Sequence, residues 1–237
     1  MAKKGKGKAA KSGTRSGLGK AGRAERAAAG KKKATRQGKQ KKAGKRSENA
    51  VMATEKLISS EVVFTGPLFR VHHDKLIEPG GRRNERDVIR HNGSVVILAI
   101  DSSKSKKNPW IVIERQYRHA AKQYLWELPA GKLDAGEEPL AGAQRELAEE
   151  TGYRAKKWRP LVEYYPSPGF LGESMKVFLA EGLEAGEARP EEDEEIEFRL
   201  VRLSDLLKMI DKGAILDGKT VTSVLLYARK KSKSKKK

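Results

Sequence analysis

The 237-residue chain contains no cysteine. Disulfides and thiolate metal sites are therefore excluded, and the composition fits a reducing compartment. It also lacks any run of about eighteen apolar residues, and its N-terminus lacks the apolar stretch of a signal peptide. A cytoplasmic location away from membranes is the expectation. Aromatic residues make up only 6% of the chain, and none lies in the first fifty residues. That segment has one leucine, Leu18, among Lys, Ala and Gly. It cannot bury a core, and residues 1–52 are expected to form a disordered basic tail. Histidine is scarce too: His72, His73, His91 and His119 are too scattered for a metal site and are expected to serve at the surface or in packing.

Charge is abundant but uneven. Residues 1–50 hold 18 Lys and Arg against two acidic residues, residues 229–237 hold 7 against none, and the stretch between them holds 26 against 29. The net charge of +20 thus belongs to the two tails, while the body is close to neutral. Such tails can neutralise nucleic-acid phosphates in a salt-dependent, sequence-indifferent way, but with no aromatic residue the N-terminal tail cannot stack on bases. A solubilising extension is the alternative, and Met52, where the tail gives way to the body, is a candidate translation start.

The most informative segment runs from Gly131 to Tyr153 and reads GKLDAGEEPLAGAQRELAEETGY. Pro139 suits a first helical position and Gly152 a position just past the end, so a helix is predicted over 139–151. Leu140, Ala143 and Leu147 fall on one stripe, and Glu146, Glu149 and Glu150 fill an adjacent arc. Like charges at i, i+3 and i+4 weaken a helix by a few tenths of a kcal/mol per pair. A hard divalent cation with oxygen ligands, Mg²⁺ or Mn²⁺, would reverse that sign; a solvated acidic face is the alternative.

Gly131, Glu137, Arg145, Glu146, Leu147, Glu149, Glu150 and Gly152 together match the Nudix box, with Tyr153 where the pattern prefers an aliphatic residue. A chance match in this chain is below about one in ten thousand. The chain therefore resembles the Nudix hydrolases, which cleave a nucleoside diphosphate linked to another moiety. The resemblance implies an α/β/α sandwich with a mixed sheet, of the α/β (α+β) class. It makes Glu146 and Glu150 metal ligands, Glu149 a further or alternating one with a catalytic role, and the backbone carbonyl of Ala130 a completing ligand. Glu137 and Arg145 form an orienting ion pair.

The flanking segments resemble the ADP-ribose pyrophosphatases, and GDP-mannose pyrophosphatases share much of the pattern. The segments are Val112 to Arg118, Leu125 to Gly131, Tyr165 to Phe170, Glu191 to Glu197 and Asp217 to Thr220. By this resemblance Glu192, then Glu194, is the general base of an acidic loop, Glu173 holds the terminal ribose hydroxyls, and Phe69 and Arg70 approach the adenine. Arg118, at the end of an apolar run, offers its planar fork to a phosphate or caps a strand edge. The subgroup also implies a small N-terminal β-domain, about 56–88, exchanged within a homodimer, ahead of a Nudix domain over 89–228 and a basic C-terminal tail over 229–237.

Elsewhere, apolar β-rich runs predict strands at 62–64, 69–77, 87–89, 95–100, 110–114, 175–179 and 196–203. Helices are expected over 204–211 and 219–228, the second started by Asp217.

Overall fold

The computed structural model describes residues 54–189 and 196–234. The N-terminal tail, the acidic stretch containing Glu192 and Glu194, and the last three lysines lie outside the described residues.

The chain opens with three antiparallel strands, β1 (Lys56–Thr65), β2 (Arg70–Ile77) and β3 (Arg83–Ile89), joined by tight turns. The second turn depends on Gly80 and Gly81, whose φ angles of 104° and 86° carry no steric cost without a Cβ. The Arg90 guanidinium reaches back to Asp74 on β2 at 3.0 Å.

A seven-stranded mixed sheet follows. Its path runs β10 (Glu197–Arg202), β5 (Trp110–Arg118), β4 (Ser94–Asp101), β9 (Met175–Glu184) and β8 (Arg154–Tyr164). β4 and β9 are parallel, whereas β8 with β9 and β10 with β5 are antiparallel. β4 pairs with β5 only at Ile100–Ile111 and Asp101–Trp110. Beyond that the two strands splay apart. β7 (Ala130–Lys132) pairs with the start of β4, and β6 (Gln123–Glu127) pairs with the end of β5. A cleft opens where the sheet divides.

Residues Ser94 to Ile100 are all buried, because both faces of β4 are covered. Val95, Ile97 and Ala99 pack on Ala143 and Leu147 of α1 (Pro139–Thr151). Val96, Leu98 and Ile100 pack with α2 (Leu203–Asp211) and α3 (Gly218–Ser234). Each fully buried Ile or Leu here contributes about 1.5–3 kcal/mol of hydrophobic stabilisation. The layers are helix, sheet, helix.

Three strands escape a pattern-based reading. β8 carries Arg, Lys and an internal Pro160, which only an edge strand with a register shift tolerates, and its ladder slips between Pro160 and Val162. β6 and β7 are too short to show alternation. α3 also runs past 228 to Ser234, so much of the basic C-terminal stretch is helical; Lys and Arg are good helix formers and suit a helix C-terminus. Leu140 belongs to the apolar stripe by periodicity but is 40% exposed, because it sits in the first turn, before the helix reaches the sheet.

Candidate active site

α1 is fixed at both ends. Pro139 opens it after an extended Glu138, and Gly152 closes it at φ 71°, with its N–H donating to the Ala148 carbonyl. Only glycine fits at 152, since a Cβ would lie 2.6 Å from the Gly186 carbonyl. There the 186–189 segment passes against the helix end, and Arg189 N–H donates to the Glu149 carbonyl at 2.7 Å. Tyr153 stands edge-on to Phe198 with ring centroids 6.0 Å apart, so an aromatic fills this apolar slot.

The three carboxylates of α1 differ. Glu150 is 4% exposed and accepts the Ala130 N–H at 3.1 Å, tying the helix to the start of β7. Glu146 and Glu149 face an open cleft of about 940 Å³. Arg145 gathers both at 2.8 and 2.9 Å, holds Glu137 through two further contacts at 3.1 and 3.2 Å, and donates to the Lys132 carbonyl. The Glu137 bond, then the neighbouring carboxylates, raise the Arg145 pKa, and the Glu137 carboxyl is lowered in return. Arg145 thus supplies part of the positive charge that offsets this cluster. Gly131 lies under the Glu146 carboxylate, and a Cβ there would sit 1.9 Å from Glu146 Oε1.

A second charged layer lies behind the helix. Glu127, 1% exposed, accepts two bonds from Arg118, Nε at 2.9 Å and Nη2 at 2.8 Å, and one from Lys219 Nζ. Burial alone would raise the Glu127 carboxyl, but Arg118 and Lys219 more than offset it, and its pKa falls. Lys219 also meets Asp217 at 3.2 Å, and Asp217 caps α3 through the Thr220 N–H at 2.9 Å. Thr220 Oγ1 in turn accepts the Leu128 N–H at 2.8 Å. Glu114 is fully buried beside this layer, and neither of its oxygens has a donor. Burial, opposed by Lys219 and reinforced by Glu127, raises its pKa well above the ordinary carboxyl range.

The cleft thus brings together Ala130, Gly131, Arg145, Glu146, Glu149, Arg118 and Glu173. Arg118 enters it with two of its N–H groups committed to Glu127, so its fork is only partly open. Phe69 and Arg70 are not among the cleft-lining residues; Phe69 packs against Phe64, ring centroids 5.9 Å apart, on the N-terminal sheet. Glu114, Glu127 and Lys219 were not singled out from the sequence. The available signal was a carboxylate inside each of two apolar runs, Val-Ile-Glu and Leu-Trp-Glu.

Among the described residues no three His, Asp or Glu side chains stand converged as a ligand set. The donors nonetheless suit a hard divalent cation. All are oxygens, Glu114 is an orphaned carboxylate beside Glu150, and the absent Cβ of Gly131 leaves room for the Glu146 carboxylate.

The fold and this carboxylate-bearing helix define an oxygen-ligand hydrolase site. The NUDIX domain family matches residues 90–223, and the chain belongs to that family; it is a hydrolase acting on phosphoric anhydrides. Family members generally use divalent metal ions. The chain is 39% identical over 173 residues to the ADP-ribose pyrophosphatase of Bacillus subtilis (strain 168), covering 72% of this chain and 90% of that protein. It is also 39% identical over 173 residues to the ADP-ribose pyrophosphatase of Mycobacterium tuberculosis (strain ATCC 25618 / H37Rv), covering 71% and 80%. A crystal structure of an ADP compounds hydrolase shares the fold with a TM-score of 0.63 at 19% identity, over 75% of this chain and 94% of that one. No helix among the described residues is long and apolar enough to cross a membrane.

Proposed function

We propose that the chain hydrolyses the diphosphate of ADP-ribose, in the presence of Mg²⁺, to AMP and ribose 5-phosphate. The observation that carries this reading is the cleft itself: Glu146 and Glu149 line one space together with Arg118, Lys132, Arg189 and Lys219, and Glu173 lines it too. The first group suits a metal, the second a diphosphate, and the third a sugar. Similarity to the two ADP-ribose pyrophosphatases supports this choice of substrate.

Glu146 and Glu150, with Glu149 and the Ala130 carbonyl, would hold the ion. When bound, it neutralises phosphate oxygens and lowers the pKa of a water near the diphosphate. Arg145 then orients the carboxylates rather than touching substrate, while Lys219 and the free edge of Arg118 face the diphosphate. Glu192, or failing that Glu194, takes the water's proton. Support for that choice comes from the resemblance of the Glu191 to Glu197 segment to the acidic loop of the ADP-ribose pyrophosphatases. A second copy of the chain covers the exposed apolar side of the N-terminal sheet, and the protein works in the cytoplasm.

The test is phosphate-product release from ADP-ribose, GDP-mannose and other nucleotide sugars, with and without Mg²⁺. Metal-dependent turnover led by ADP-ribose is expected. Preference for GDP-mannose would replace the substrate, and metal-independent turnover would remove the mechanism.

A further inference from the structure

Glu173 occupies the irregular stretch just before β9, and the backbone on both sides of it is pinned. Ile89 N–H donates to the Phe170 carbonyl and Gly172 N–H to the Ile89 carbonyl, both at 2.8 Å; Ser94 N–H donates to the Ser174 carbonyl, also at 2.8 Å. Gly93, at φ 98°, passes so close that a Cβ would lie 3.3 Å from the Ser174 oxygens. With its backbone held, the freedom left to Glu173 is that of its side chain. Ser94 Oγ donates to Glu173 Oε1.

Ser94 is 6% exposed and lines the cleft together with Glu173 and Met175. Its one hydroxyl proton goes to Oε1, which leaves Oε2 and the remaining lone pairs of the carboxylate free to accept from a ligand. A fixed carboxylate accepts hydroxyl groups and repels phosphate, so it favours a neutral polyol over a further anionic group. The same cleft is also lined by Arg118, Lys132 and Lys219, cations that suit the diphosphate.

We propose that Ser94 is a positioning residue for specificity: it holds the Glu173 carboxylate in the one orientation that reads the hydroxyls of the sugar linked to the nucleoside diphosphate. This rests on the function proposed above. A free glutamate samples several rotamers, and restricting them before the ligand arrives strengthens binding without touching the bond that breaks.

The test is steady-state kinetics on ADP-ribose and on the methyl ester of ADP, which has the diphosphate but no sugar hydroxyls on its far side. Wild type, Ser94→Ala, Ser94→Thr, Glu173→Ala and the Ser94→Ala/Glu173→Ala pair are compared, with thermal melts confirming the fold. Ser94→Ala should raise KM for ADP-ribose about fivefold with kcat little changed, and Ser94→Thr should restore it. With the methyl ester the KM change should shrink towards none. The pair should be no worse than Glu173→Ala alone. Equal losses on both esters, a fall in kcat of the same size, or additive losses would overturn the assignment. Cleavage of both esters with an unaltered Ser94→Ala KM overturns this inference alone, whereas a wild type that cleaves neither overturns the functional reading and this inference with it.

Discussion

β1 and β4 are both rich in β-branched and aliphatic residues, yet all ten residues of β1 are exposed while Ser94 to Ile100 of β4 are buried. The difference lies in what covers them. β4 has α1 on one side and α2 with α3 on the other. β1 has β2 as its neighbour and leaves Leu57, Ile58, Val62, Val63 and Phe64 between 45% and 55% exposed. An apolar face of that kind is characteristic of a surface that meets a partner. Glu146, Glu149 and Glu150 stand on α1, which packs against the strand buried within this chain, so their placement comes from the chain itself.

The sharpest way to test this contrast is to remove the same kind of atoms from each region. Ile97→Ala, at a fully buried site against α1, should cost about 3 kcal/mol in denaturant unfolding. A cost below about 1 kcal/mol would mean that the helix layer does not close over the sheet.

Arg118→Ala should cost less, about 2 kcal/mol, because the arginine is 39% exposed while the Glu127 it leaves behind is 1% exposed and keeps only Lys219. Its pH dependence has a defined sign. The folded Glu127 pKa is depressed, so its contribution is present above the unfolded value of about 4.3 and is lost as pH falls through the folded value. The melting-temperature gap between wild type and Arg118→Ala should therefore narrow as pH drops from about 6 towards about 3. A gap that widens on acidification would contradict the pairing.

The smallest effect belongs to β1. Val63→Ser should change subunit stability by under about 0.5 kcal/mol in dilute solution but shift sedimentation towards the monomer. A loss as large as that of Ile97→Ala, with no change in mass, would break the comparison.

Much of the fold was legible because periodicity and breakers agreed. The Pro139–Thr151 helix lies where Pro139 and Gly152 place it, and β4 and β9 follow their apolar runs. β8 was hidden because an edge strand tolerates proline and charge. In the site, the spacing of Glu146, Glu149 and Glu150 showed that they were neighbours but not that Glu150 would be buried against the Ala130 N–H while Glu149 turned to Arg145. Glu127 and Lys219 are 92 residues apart and meet only when the sheet divides, so no local pattern could pair them. Ser94 and Glu173, 79 residues apart, are the same case.

The proposed activity requires the Nudix helix to work as a metal-holding surface. The direct measurement is turnover of ADP-ribose against Mg²⁺ concentration for wild type and Glu150→Gln, with circular dichroism on both. Glu150→Gln keeps the size of the side chain and an oxygen for the Ala130 N–H, so the fold should persist while turnover falls by about two to four orders of magnitude at every metal concentration. Retention of full activity, with an unchanged metal requirement, would contradict it.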